Sequence, residues 1–391
     1  MEVQEKAVIL MMKSAITGEP SALPEGVDME KVYAILKRHG IAALGYLGAV
    51  QCGVDRNGPV MRRLFQAYCL STAVSEGQMK AIRGICAAFD REKIDYMPVK
   101  GCNMKPRYPQ PELRTMGDAD ILIRLDQYDR IRPIMEQLGF AEGEESDHEL
   151  IWYSKALMVE LHKRLIPSYN KDYFRYYGDG WKLASRAEGT HHYMTPEDEF
   201  IYIFTHFAKH YRDGGIGCRH VLDLWVFLRT FPELDFSYIA AQLKQLELWE
   251  FYGNMRQLIS VWFEQGQGDH RTELMSRYIF DSGCWGQECN HILSQGLRKA
   301  GAEKSPGKGR LRWAMDVIFP SAFAIQGRYP VLKEHPGLLP VIWVRRWFEV
   351  LLRRRDHLST MVDRVQTMSD DRMEAFRQSL QYVGLDFHFE E

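Results

Sequence analysis

Apolar residues along the chain switch between helical and strand-like spacing. Over residues 1 to about 92 the spacing is helical. Val32 and Leu36, then Leu44 and Leu47 beyond a break at His39-Gly40, recur at intervals that share a helix face. Gly40 predicts the end of the first of these helices, since glycine readily takes the left-handed backbone that closes one. Leu64, Ala67, Tyr68, Ile82, Ile85, Cys86 and Phe89 predict a longer helix from about Val60 to Phe89. The texture then changes. Ile94–Val99 reads as a short strand that runs into Lys100-Gly101, and a loop with Pro106, Pro109 and Pro111 follows. Asp118–Ile123 alternates with period two, as a half-buried strand does. Asp126 predicts a helix N-cap and Gly139 the helix end after Leu138, while Pro133 between them predicts a kink or a late start. Strands are predicted near Glu149–Tyr153 and Ala156–His162. Thr195-Pro196-Glu197-Asp198 combines a capping hydroxyl, a proline suited to the first helical position and acids for the first turn. Phe200, Ile203, Phe204, Phe207 and Tyr211 then form one apolar stripe. Gly301–Arg310 (GAEKSPGKGR) reads as a flexible loop.

Helix, strand, helix and hairpin in that order predict a compact α/β unit at about 80–190. The division that follows is a helical region at 1–80, a core at 81–190 and a helical domain at 191–391. A chain of 391 residues is long enough for two or three domains. With 46% hydrophobic and 26% charged residues it has the make-up of an ordinary globular protein. The formal net charge of -2 argues against bulk binding of nucleic acid. Seven scattered cysteines form no CxxC pair and no zinc-finger spacing, and their odd number argues against a full disulfide framework. A reducing compartment fits. The N-terminus lacks a positive n-region, and no uncharged run approaches the roughly 18 residues of a membrane span. The expectation is a soluble, cytoplasmic protein without a transmembrane segment.

The strand at Asp118–Ile123 is where chemistry enters. Side chains alternate across a strand, so Asp118 and Asp120 share a face while Ile121 and Ile123 turn into a core. Val159 and Leu161 flank Glu160 in the same sense. If the two strands are neighbours, Glu160 joins the aspartates. Clustered carboxylates repel, and a divalent cation relieves that repulsion. Mg²⁺ takes oxygen ligands, commonly a few carboxylates plus substrate phosphates, and two such ions can clamp the attacking and leaving oxygens of a phosphoryl displacement. Asp118 and Asp120 would hold both ions, and Glu160 would complete one site. Gly101 lets backbone approach a phosphate closely, Lys100 can neutralise phosphate charge, and Arg114 can add a bidentate contact. His162, two residues after Glu160, falls on the same strand face and within reach of phosphate or metal.

The array PVKG, LRTMGDADILI, a helix ending in LGF, and MVELH resembles the polymerase-beta-like nucleotidyltransferase superfamily. Within it the chain resembles a large bacterial group of nucleotidyltransferase family proteins, to which RHGIAALGY and IFPSAFAIQGRYP are also similar. The resemblance implies an α+β fold, with a small mixed β-sheet core flanked by helices and set between N-terminal and C-terminal helical regions. It implies Mg²⁺ and a nucleoside triphosphate. It assigns Asp118, Asp120 and Glu160 to the metal-binding, catalytic acids, and Gly101 to the first residue of the usual Gly-Ser pair. The second is Cys102 here, which supplies a Ser-like contact to the nucleotide at most, and Gly101 lies farther from Asp118 than is usual. The implied reaction moves a nucleoside monophosphate to a hydroxyl acceptor and releases pyrophosphate. A small molecule or protein suits this charge better as acceptor than a long nucleic acid.

Two other readings stand beside it. In one, the fold binds nucleotide or a partner without turnover; Cys102 favours this and the intact acid trio opposes it. In the other, His206, His210, His220 and Asp223 form the metal site of a hydrolase, since imidazole and carboxylate suit zinc or iron. These four residues also suit the wall of a cleft. Trp343–Arg355 (WVRRWFEVLLRRR) predicts an amphipathic helix with a basic face, suited to packing or to an acidic surface. The basic run Lys304–Arg312 has no aromatic stacking platform, which argues for a loop rather than a nucleic-acid contact.

Overall fold

The helical spacing before residue 92 resolves into four helices in a computed structural model, which describes residues 1–284, 286–300, 315, 318–325, 328–353 and 369–387. They are α1 (Val3–Thr17), α2 (Met29–Arg38), α3 (Ala42–Gln51) and α4 (Pro59–Arg91). The break at His39-Gly40 separates α2 from α3, and Gly40 takes φ +66°. Helix α4 buries Leu64, Ile82, Ile85 and Phe89 along one side.

Seven strands form one mixed sheet: β1 (Tyr96–Val99), β2 (Asp118–Ile123), β3 (Ala141–Glu145), β4 (Glu149–Tyr153), β5 (Met158–His162), β6 (Arg186–Glu188) and β7 (His191–Tyr193). Their order is β3-β4-β5-β2-β1-β7-β6. Strands β2 and β5 are parallel neighbours, as are β1 and β7; the other pairs are antiparallel. Between the strands lie α5 (Gly101–Met104), α6 (Tyr128–Gln137) and α7 (Lys171–Tyr177). The architecture is α+β, a mixed sheet flanked by helices.

One sheet face is apolar. Ala119, Ile121, Ile123, Val159, Leu161 and Trp152 pack with Ile85 and Phe89 of α4 and with Ile131, Ile134 and Met135 of α6. Each fully buried aliphatic side chain there contributes roughly 1.5–3 kcal/mol. This packing fixes the register of β2, because a slip of one residue would drive both aspartates into the core.

One local expectation is corrected. Asp126 does not cap α6: it lies in a 3-10 turn, Leu125–Gln127, and Gln127 takes the N-cap position. Pro133 falls inside a helix that begins late, at Tyr128. Side chains tie the proline loop down. Lys105 Nζ donates to the Arg114 carbonyl at 2.7 Å, Ser71 Oγ to that of Glu112 at 2.6 Å, and Gln78 Nε2 to that of Met116 at 2.8 Å.

After the sheet come α8 (Pro196–Asp213), α9 (Cys218–Thr230), α10 (Phe236–Gln245), α11 (Trp249–Phe263) and α12 (His270–Ser282). The chain divides into two compact units, one of residues 1–209 and 216–285, the other of residues 210–215 and 286–391. In the second unit α13 (Glu288–Ala300) packs with the helix Asp370–Tyr382. The helix Leu339–Arg353 covers most of the predicted amphipathic segment, and its Trp343 and Trp347 donate to the carbonyls of Pro320 and Ile318. The loop at 301–310, the basic run at 304–312 and residues 354–355 lie outside the described residues. Among the described residues no helix is long and apolar enough to cross a membrane.

Candidate active site

On the sheet face opposite the apolar core, strand register brings the acids together. Asp118 pairs with Met158, Asp120 with Glu160 and Leu122 with His162 along β2 and β5. Directly paired residues point the same way, so Asp118, Asp120, Glu160 and His162 share this face. Strand β4 adds Glu149, which pairs with His162.

Asp120 is buried, and its Oδ1 accepts from Lys100 Nζ at 2.7 Å and His162 Nε2 at 2.9 Å. His162 Nε2 also lies 3.4 Å from Glu160 Oε2. Burial opposes the Asp120 charge, but Lys100 and His162 outweigh it and hold the carboxyl well below its usual range. Burial likewise opposes the Lys100 ammonium, and Asp120, Tyr202 and Glu160 keep it charged. Asp118 is different. Burial, Asp120 and Glu160 all push it up, from 3.8 to about 6, against weaker pulls from Lys100 and Arg219.

Backbone geometry concentrates here too. Lys100 has φ 50° and ψ -116°, a region favoured by glycine. Such strain costs about 1–3 kcal/mol and clusters at functional sites. It aims the ammonium at Asp120 from the end of β1. Gly101 is required by space rather than by torsion. A Cβ there would lie 3.0 Å from Met116 Sδ and 3.2 Å from Arg114 Nη1.

A cavity of about 100 Å³ opens over Asp118 and Asp120. Its wall also includes Lys100, Gly101, Arg114, His206, Arg219, His220 and Asp223. Arg114 is already engaged: its Nε and Nη2 donate to Asp223 at 2.8 and 2.9 Å, and Tyr108 Oη adds a third bond at 2.7 Å. Only the Nη1 edge remains turned toward Gly101. Cys102 belongs to the apolar core under the sheet, not to the cavity wall, and burial pushes its thiol up. His162 is fully buried beneath Asp120, where it supports the acids.

The sequence from residue 25 to 264 matches the model of a family described as uncharacterised nucleotidyltransferase. The chain belongs to this nucleotidyltransferase family. No curated protein matches it. A solved structure described as that of the antibiotic-resistance factor ANT(2'')-Ia aligns at 13% identity, over 44% of this chain and 92% of that one, with a TM-score of 0.32.

A nucleotidyltransferase site implies a divalent metal, and the donor chemistry here suits one. Asp120, Glu160 and His162 present ligand atoms within 4.8 Å of one another, and Asp118 is a carboxylate destabilised by like charge. His148, Glu149 and His162 form a second such group. Among the described residues neither group includes His206, His210, His220 or Asp223. Of those four, Asp223 is held by Arg114 and Tyr108, and burial and Arg219 push His220 down to about 3. Sequence reasoning missed Glu149, His148 and Arg219. Glu149 carried a weak signal, since it sits at the start of a predicted strand in line with His162. Arg219 carried none, since only the fold brings α9 to the acids.

Proposed function

We propose that this nucleotidyltransferase moves a nucleoside monophosphate from a nucleoside triphosphate to an acceptor hydroxyl and releases pyrophosphate. The observation that supports this most is the triad of carboxylates on adjacent parallel strands, with Asp118 raised by burial and by its acidic neighbours. Asp118, Asp120 and Glu160 would hold Mg²⁺, two ions by the resemblance. The bound metal would supply charge neutralisation at the phosphates.

In this reading the acceptor oxygen forms a bond to the α-phosphorus in line with the α–β bridging bond. That bond breaks, and its electron pair leaves with the β-phosphate oxygen. Glu160 takes the acceptor proton and passes it to solvent. Lys100, held on Asp120 by its strained backbone, stands where it can turn to a phosphate oxygen. His162 fixes the Asp120 carboxylate from below. The acceptor is a small molecule or protein hydroxyl rather than a long nucleic acid, in line with the net charge of -2. The nucleotide is ATP in the first instance.

A second reading is nucleotide binding without turnover. The burial of Cys102 in the core favours it, because no hydroxyl replaces the usual phosphate contact. Pyrophosphate release from each nucleoside triphosphate, measured with Mg²⁺ and a broad acceptor panel, decides between them. Turnover that falls at least about a hundredfold in Asp118→Ala and Asp120→Ala supports transfer. Mg²⁺-dependent triphosphate binding without pyrophosphate release supports the binding module. Turnover that survives both substitutions contradicts the assignment of the acids.

A further inference from the structure

The charged groups around the cavity can be paired off, and the remainder is informative. Lys100 meets Asp120 at 2.7 Å, and Arg114 meets Asp223 at 2.8 Å. Two charges are left, Asp118 and Arg219. Arg219 Nη1 donates to the Thr115 carbonyl at 2.8 Å and lies 3.3 Å from its hydroxyl. Both hydrogen-bond partners are uncharged, and Asp223 and Asp118 act on the guanidinium through space without a bond to it. Arg219 Nε is buried without a hydrogen-bond partner, and so is Nδ1 of His220 next to it. Buried polar atoms without partners are rare in folded proteins and call for an explanation. A cation beside Arg114, with unused nitrogen atoms, has a natural complement in an anion.

Size narrows the choice. A cavity of about 100 Å³ is a few times the roughly 30 Å³ that a water molecule occupies in the liquid. It has room for phosphate groups. Asp118 and Asp120, which also line it, suit a cation. A triphosphate carrying a divalent ion meets both at once.

We infer that Arg219 and His220 of α9, with the Nη1 edge of Arg114, form an anion subsite that takes the diphosphate end of the triphosphate and holds it as pyrophosphate. This rests on the transfer reading for the identity of the ligand. The subsite itself rests on the leftover charge, the unpartnered buried nitrogens and the size of the cavity. Thr115 sets the angle of Arg219, and Asp223 sets that of Arg114. Burial and Arg219 keep His220 neutral, so it offers its ring as a hydrogen-bonding group rather than as a second charge. Guanidinium groups suit this task because they present several donors in a rigid plane.

The test is calorimetric titration of the full chain with inorganic pyrophosphate in excess EDTA, which separates the anion subsite from any metal. Arg219→Met should weaken binding by about tenfold or more, and Arg219→Lys should restore part of the loss. Asp118→Asn should leave pyrophosphate binding as tight as before or tighter. Pyrophosphate should also shift the His220 ring resonances in the unsubstituted protein, a readout that depends on no variant folding. Equal pyrophosphate affinity in folded Arg219→Met, or an unmoved His220, overturns the inference. Mg²⁺-triphosphate binding that needs Asp118 but ignores Arg219 overturns it while leaving the transfer reading intact. Pyrophosphate binding that needs Arg219, in a protein with neither Mg²⁺-dependent triphosphate binding nor turnover, supports the subsite and defeats the transfer reading.

Discussion

Arg114–Asp223 and Lys100–Asp120 are both buried ion pairs on one cavity, closed at 2.8 and 2.7 Å. Distance does not tell them apart; their surroundings do. Asp223 receives two prongs of a guanidinium and the Tyr108 hydroxyl, with no carboxylate against it. Asp120 receives Lys100 and His162 but also stands beside Asp118 and Glu160. The first pair is satisfied where it stands and locks the proline loop to α9. The second is a local truce within a repulsive cluster. The two pairs therefore separate a carboxylate settled by its partners from one crowded by other acids.

The largest expected effect breaks the satisfied pair. Asp223→Ala leaves Arg114 buried without its counter-charge and should cost about 3–5 kcal/mol in urea unfolding. Asp120→Asn in EDTA also removes the counter-charge of buried Lys100 but should cost less than Asp223→Ala, because the amide oxygen can still accept from Lys100 and Asp118 loses a like-charged neighbour. Equal losses would erase the comparison.

A smaller effect of opposite sign is expected at Asp118. Its carboxyl ionises at 3.8 in the unfolded chain and about 6 in the fold. Between those values the folded state binds more protons, so this group makes stability fall as pH rises and holds the penalty above about pH 6. Asp118→Asn should therefore stabilise the protein in EDTA at pH 7 by about 1–2 kcal/mol, after allowance for its partial exposure. The gain should vanish below pH 4. A destabilised variant at pH 7 would mean that Asp118 is not held against like charge.

The smallest effect concerns the strained turn. Alanine is normally the more stable choice over glycine, because it restricts the unfolded chain. At position 100 the order should reverse, with Lys100→Gly more stable than Lys100→Ala by about 1 kcal/mol. The usual order would remove strain as the device that aims Lys100 at Asp120.

Much of this was legible in the chain and some was not, for physical reasons. The alternation of Asp118–Ile123 revealed β2 and the shared face of its aspartates, because an apolar face leaves a period-two trace. The same logic placed β4, β5 and Glu160. Strand β3 left no trace: Ala141–Glu145 is exposed throughout, so nothing in it alternates. Strands β6 and β7 are too short to show a period. Arg114 was read for its chemistry, but its partner lies more than a hundred residues away, and spacing is blind to such a contact. The same distance concealed Arg219. Cys102 was placed by analogy with a motif, whereas packing turned its side chain into the core.

In the proposed reaction the acids on β2 and β5 take a divalent cation while Arg219 takes the phosphates attached to it. Anomalous scattering from crystals soaked with Mn²⁺ and a non-hydrolysable nucleoside triphosphate tests it most directly. The predicted result is a metal peak among Asp118, Asp120 and Glu160, with the diphosphate end of the ligand against Arg219. A peak among His148, Glu149 and His162 instead, or a ligand whose phosphates avoid the cavity, would contradict it.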